Sequence, residues 1–435
     1  MKNSLGEKGL PLIFMVAGLQ LRHVSIPTFL LFGVLFSGSI FAEKFDLQVY
    51  ASRFDSIPIG VLEFRNTGGE PITENEPWKV VAADLDFSGR FEVVKTEKVD
   101  TALFREKNVG IFIDGEYVVK GGEVILDCYL HDATTGDLLF GKKYRGELAH
   151  VRQMAHRYAG QLVEMLLGEK SPFQSRIVFV RNNGDKKNLF IMDFDGHNIR
   201  QLTKSSTVNV FPVFADSNTI LWTGYYRGKP DIYKASTITG KFSIFVYSRF
   251  VESSPAVSTV IDKVVYSSSS EGNLDIYTCD IDGSNKRRIS FAPSIDTSPC
   301  WSPNGYQIAF TSDRSGRPQI YVMDVDGGNC RRLTFEGRYQ DSPAWSPKGD
   351  KIAYSSLHEG KFDIWTINPD GSEPTRVTSC PGTNQYPTWS PDASHIAFVS
   401  SRGGKADIYQ IRPDGTGLRR VTELGNAEMP DWSQF

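Results

Sequence analysis

From about residue 176 to the C-terminus the sequence repeats every 43 or 44 residues in three independent registers. A proline opens each unit: Pro212, Pro255, Pro299, Pro343, Pro387 and Pro430. An aromatic sits in the middle: Phe190, Tyr233, Tyr277, Tyr321, Trp365 and Tyr409. A glycine turn follows: Gly196, Gly240, Gly283, Gly327, Gly371 and Gly415. Each register yields six units. Within 341–378, four apolar runs are separated by the turn signals Ser346-Pro347-Lys348-Gly349, His358-Glu359-Gly360-Lys361 and Pro369-Asp370-Gly371. That pattern predicts a four-stranded antiparallel meander. One such sheet cannot bury both of its faces, so neighbours must stack, and closing the stack into a ring removes its ends. The expected fold of residues 176–435 is an all-β, six-bladed β-propeller.

The registers also predict how the ring closes. The first unit begins at Arg176-Ile177-Val178-Phe179-Val180, which matches the second strand of the other units. Its missing first strand reappears as Met429-Pro430-Asp431-Trp432-Ser433. The C-terminus should therefore complete the blade that the N-terminal side of the array begins.

Repetition explains most of the conspicuous residues without invoking a site. Asp231, Asp275, Asp363 and Asp407 recur at strand starts and read as caps. The Asp-Gly pairs at Asp282, Asp326, Asp370 and Asp414 are hairpin chemistry. Asp280 to Gly283 and Asp324 to Gly327 imitate a calcium loop, but Phe291 and Phe335 stand where its closing Glu belongs. The pairs Arg287-Arg288, Arg331-Arg332 and Arg419-Arg420 fall on fourth strands, where charge blocks sheet-to-sheet association.

The 435 residues are enough for more than one domain, and 40% hydrophobic with 23% charged residues allows sizeable cores. A net charge of −3 asks for no nucleic acid. The five cysteines show no metal-binding spacing, and their odd number leaves one thiol over in a monomer.

Residues 1–42 read as a signal peptide. Arg22 precedes the apolar run Phe29 to Phe36, and small residues follow, with cleavage after Ala42 or after Ser39. Met15 is a second candidate start, and an uncleaved anchor is the alternative reading. Residues 43–56 alternate Phe45, Leu47 and Val49 with Asp46, Gln48 and Tyr50. They suit an added strand, a loose tail, or a segment that pairs with a partner's edge.

Residues 57–170 predict a small α/β domain. Ile57 to Phe64 is strand-like. Pro77 opens a helix burying Trp78, Val81, Ala82 and Leu85, with Gly89 as its C-terminal cap. Phe91 to Val94 is the next strand, and Glu123 to Asp132 with Leu138 to Tyr144 forms a hairpin. Leu148, Val151, Ala155, Tyr158, Leu162 and Met165 lie on one face of a helix ended by Gly168. Gly136 to Lys143 imitates a phosphate loop, but on a hairpin, and with Lys143 where the metal-binding Ser or Thr should be.

A functional site is expected where the units differ. The loops entering the first strands form one rim of a propeller, and they place the carboxylates of Glu252, Asp296, Asp341 and Glu428 there, with Tyr339 and Tyr386 beside them. Acid with aromatic at a concave face suits a peptide or protein partner, or a cation. No catalytic motif of the G-x-S-x-G, H-E-x-x-H or G-x-G-x-x-G type occurs, and no His lies in a rim loop. The expectation is a protein that is not an enzyme, with no cofactor. A propeller enzyme such as a polysaccharide lyase, working at the same mouth, is the alternative.

The whole region after residue 42 resembles the TolB family of the Tol–Pal envelope system. The resemblance rests on Pro58 to Phe64 (PIGVLEF) and Val80 to Val94 (VVAADLDFSGRFEVV) in the first domain. In the propeller it rests on Ser302 to Phe310 (SPNGYQIAF) and Arg317 to Gly328 (RPQIYVMDVDGG). It implies a periplasmic scaffold, monomeric outside its complexes and without direct membrane insertion after signal cleavage. Its implied partners are a Pal-like peptidoglycan-associated lipoprotein at the propeller mouth and a TolA-like inner-membrane protein at the N-terminal segment. Its implied role is in envelope integrity and outer-membrane constriction during cell division. Glu252, Asp296, Asp341, Glu428, Phe45, Leu47 and Val49 match the family's binding regions by position only.

Overall fold

A computed structural model describes residues 56–379 and 381–435. The expected signal segment, the residues Phe45, Leu47 and Val49 expected to bind a partner, and Cys380 lie outside the described residues. The α/β domain and the propeller belong to one compact unit. No helix among the described residues is long and apolar enough to cross a membrane.

The first domain is a six-stranded mixed sheet with helices packed on it. Its strands are β1 (Ile57–Leu62), β2 (Arg65–Gly68), β3 (Phe91–Thr96), β4 (Ile111–Lys120), β5 (Glu123–Asp132) and β6 (Leu138–Glu147). They lie in the order β3-β1-β4-β5-β6, with β2 beside β4. Strand β1 runs parallel to β3 and β4, whereas β4, β5 and β6 form an antiparallel meander.

Helix α1 (Pro77–Ser88) starts with proline in its first turn and ends at Gly89, whose φ of 67° is the left-handed geometry expected there. Helix α2 (Thr101–Glu106) is capped by Asp100, whose carboxylate accepts from the amides of Ala102 and Leu103. Helix α3 (Val151–Leu167) buries Ala155, Tyr158, Leu162 and Val163. Val81, Ala82 and Leu85 of α1 join them over Ile59, Val61, Ile113 and Leu126 in one core. Helix α2 and strands β2 and β4 are additions to the sequence-based expectation. The pattern of β4 was legible, because its buried residues alternate from Ile113 to Val119.

The propeller has six four-stranded antiparallel sheets. Five are contiguous in sequence. The sixth joins the closing strand Ala427–Trp432 to Arg176–Asn183, with Glu428 opposite Val180 and Trp432 opposite Ile177. Two bonds lock this seam: Trp432 Nε1 donates to Ser175 Oγ at 2.7 Å, and the Arg176 amide donates to Ser433 Oγ at 2.9 Å.

The α/β domain is seated on the propeller face carrying the first-to-second and third-to-fourth strand turns of the last two blades. Phe87 of α1 stacks on His395 at 3.9 Å, and the Arg419 guanidinium lies 3.9 Å from the Phe87 ring centre. Burial, then Arg419 and Arg412, push His395 down to about 3, so it is neutral in this contact. Beside it, Asp84 bonds His156 Nδ1 at 2.7 Å, and Arg152 of α3 ion-pairs with Asp195 of the propeller.

Candidate functional site

A channel runs along the propeller axis and holds a cavity of about 420 Å³ lined by the first strands of all six blades. Each of these strands breaks register just before its proline. The residue before the proline is left-handed in every blade: Phe211, Ser254, Ser298, Ser342, Tyr386 and Met429, with φ between 48° and 57°. The geometry is a bulge. Proline has no N–H to place in a ladder, and the extra residue bends the strand. A left-handed residue without glycine costs on the order of 1–3 kcal/mol. Hydrogen bonds between blades hold it, as where Tyr386 N donates to Ser355 Oγ at 3.0 Å and Ser254 N to Thr223 Oγ1 at 3.0 Å.

This backbone divides the four expected rim carboxylates. Glu252 and Asp296 stand first in their strands, and their side chains are buried within the blades. Asp296 pairs with Arg314 at 2.7 Å. Glu252 is pushed above the usual carboxylate range by burial. Asp341 and Glu428 stand one residue later in the equivalent strands and are half-buried. Asp341 accepts from Thr311 Oγ1 at 2.9 Å and from the Ser342 amide at 2.7 Å. Glu428 pairs with Lys187 at 2.6 Å and accepts from Asn182 at 3.1 Å.

Tyr386 connects the second pair. Burial first, then the charges of Asp341 and Glu428, push its phenol up to about 12. Tyr339, exposed at the rim, also contributes and meets Phe362 edge-on at 5.6 Å. The residues brought together are thus Tyr339, Asp341, Tyr386 and Glu428, on one arc of the mouth. Glu252 and Asp296 are not part of it, because successive residues of a strand face opposite sides.

Of the six expected residues only Tyr386 lines the cavity itself. The one charged side chain on its wall, among the described residues, is Asp431 of the closing strand. The other blades place Val213, Ala256, Cys300, Ala344 and Thr388 at that position. Comparing the position just after each proline would have found it.

The repeated aspartates and arginines have a further task beside the one expected. Asp275, Asp363 and Asp407 are buried and ion-paired with Arg288, Arg376 and Arg420 at 2.9, 2.5 and 2.7 Å. The second arginine of a pair, Arg288 or Arg420, therefore turns into its own blade, as does Arg376, which follows Thr375. The first can reach the next blade, as Arg331 does in donating to the Pro369 carbonyl at 2.7 Å. These charges hold blades together in addition to marking an edge. The four described cysteines, Cys128, Cys279, Cys300 and Cys330, are free.

An axial propeller with a half-buried acidic and aromatic arc at its mouth, carried beside a small α/β domain, defines a class of two-domain propeller proteins. Within that class the chain belongs to the TolB family. The family profile described as the TolB beta propeller domain matches residues 163–356 and 338–434, and the TolB amino-terminal domain matches residues 45–139. A Protein TolB homolog of Chlorobaculum tepidum is 37% identical over 216 residues, 47% of this chain and 49% of that protein. The Tol-Pal system protein TolB of Geobacter sulfurreducens is 34% identical over 211 residues, 45% of this chain and 49% of that one. The chain spans about half the length of the curated relatives it matches. The crystal structure of TolB from Acinetobacter baumannii shares the fold, with a TM-score of 0.75 over 87% of this chain and 97% of that one, at 22% identity.

Proposed function

We propose that this chain is a periplasmic, non-enzymatic scaffold of the Tol–Pal system. Its propeller mouth binds a Pal-like outer-membrane lipoprotein. Its N-terminal segment, with Phe45, Leu47 and Val49, engages a TolA-like inner-membrane protein. Coupling the two envelope layers in this way supports envelope integrity and outer-membrane constriction at division.

The observation that carries the reading is the arc of Tyr339, Asp341, Tyr386 and Glu428. Two carboxylates and two phenols lie on one side of a concave mouth and are held by Thr311 and Lys187. Such a surface offers acceptors and flat aromatic area to a protein partner. The carboxylates are already engaged by the protein's own donors, which suits recognition better than acid–base chemistry. Membership of the TolB family, among relatives named as Tol-Pal system proteins, supports the same reading.

The test is capture of a purified Pal-like lipoprotein domain by the full chain. Asp341→Lys should weaken capture at least tenfold, whereas a change on the outer blade surface should not. Unchanged capture by Asp341→Lys would move the site away from this arc.

A further inference from the structure

The channel wall carries one carboxylate that the proposed partner surface does not use. Asp431 Oδ2 accepts from the Phe214 amide at 2.8 Å, and no described side chain bonds the other oxygen. The surrounding wall carries no other charged side chain among the described residues and is rich in indole: Trp301, Trp345, Trp389 and Trp432 all line the same cavity. An acid in such a place has no counter-charge beside its ionised form.

We propose that the channel cavity binds a primary alkylammonium group, held by the free oxygen of Asp431 and flanked by the tryptophans. Three alternatives fit less well. A divalent cation of the hard class takes six to eight oxygens, and Asp431 shares its rung with Val213, Ala256, Cys300, Ala344 and Thr388. A guanidinium prefers both carboxylate oxygens at once, and one is committed to Phe214. An anion meets a like charge. An ammonium needs one strong acceptor, and the free oxygen of Asp431 supplies it. The ammonium can come from a lysine side chain or from a chain N-terminus. The inference does not depend on which protein docks at the mouth.

The experiment uses the full chain labelled with ¹⁵N at tryptophan and follows the indole N–H signals. Three probes are titrated: Nα-acetyl-lysinamide, alaninamide and Nα,Nε-diacetyl-lysinamide. At least one ammonium probe should shift the channel indoles saturably, and which one does so tells side chain from N-terminus. The diacetylated probe should bind at least tenfold more weakly. Asp431→Asn keeps an acceptor for the Phe214 amide and should lose at least tenfold in affinity for the ammonium probe. Equal binding of the diacetylated probe, undiminished binding by Asp431→Asn, or no shift with either ammonium probe overturns the proposal. Should the variant fail to fold, the comparison of probes on the parent chain decides alone.

Discussion

Asp296 and Asp341 enter the first strands of adjacent blades one residue apart in register. Asp296 is therefore buried against Arg314 at 2.7 Å, whereas Asp341 reaches across to Thr311 of the neighbouring blade at the mouth. Two residues alike in chemistry and loop position have different tasks because side chains alternate along a strand.

Their substitutions should separate stability from binding. Asp296→Lys leaves Arg314 without its partner and adds a second buried cation, an expected loss of about 3–5 kcal/mol. Asp341→Lys loses two hydrogen bonds at a half-buried site, about 1–3 kcal/mol, and weakens partner capture. Urea unfolding alongside capture checks both. Equal destabilisation by the two changes would contradict the register argument.

Ring closure depends on the last strand. Trp432 is buried at 1% exposure and bonded to Ser175, so Trp432→Ala should cost about 3–5 kcal/mol. Phe435, exposed at 47%, should change stability by no more than about 0.5 kcal/mol on replacement by Ala. Removing residues 427–435 should abolish cooperative unfolding of the propeller. Calorimetry tests this through the agreement of calorimetric and van't Hoff enthalpies.

The contact between the domains should weaken in acid. Asp195 is buried, but bonds and charges from His197, Arg152 and His156 outweigh that and hold its carboxyl well below the usual range. The folded state thus keeps Asp195 ionised where the unfolded chain protonates it, at a pH near 4. Its contribution is present above that pH and declines as pH falls below it. Asp195→Asn should flatten this acid limb, so the gap between parent and variant midpoints in urea should be larger at pH 6 than at pH 3.

Asp431 should act in the opposite sense. Burial pushes its carboxyl up to about 7, against about 3.9 in an unfolded chain. Between these values the folded state holds a proton that the unfolded state has released. Stability therefore falls as pH rises from about 4 to about 7 and levels off above. The groups facing it are the Phe214 amide and the uncharged rung residues, which supply no compensating charge. Asp431→Asn should gain on the parent chain between pH 4 and pH 8, read from thermal midpoints. A constant difference across that range would show that Asp431 is not desolvated in the channel.

Much of the fold was legible because a blade is a local object. The proline, aromatic and glycine registers each mark a turn or a packing position inside one unit, and the split blade showed as a strand missing at one end and present at the other. Local signals also marked α1, α3 and the β5–β6 hairpin. The candidate site was legible only in part. Tyr339, Asp341, Tyr386 and Glu428 were expected near one another, but the loops do not tell which way Glu252 and Asp296 point. The pairing of Arg288 with Asp275 was hidden too, since both repeat and each can be explained alone.

By itself, the sequence determined the number of blades, the ring closure, the order of domains and the family resemblance. All of these follow from periodic or short-range patterns of apolar and turn residues. Tertiary structure alone decided which carboxylates face the mouth, which are held inside blades, and that Asp431 stands alone on the channel wall. Those outcomes depend on a left-handed bulge repeated in six strands and on residues brought together across blade boundaries. Orientation about a strand and distance across a ring are not carried by any stretch of neighbouring residues.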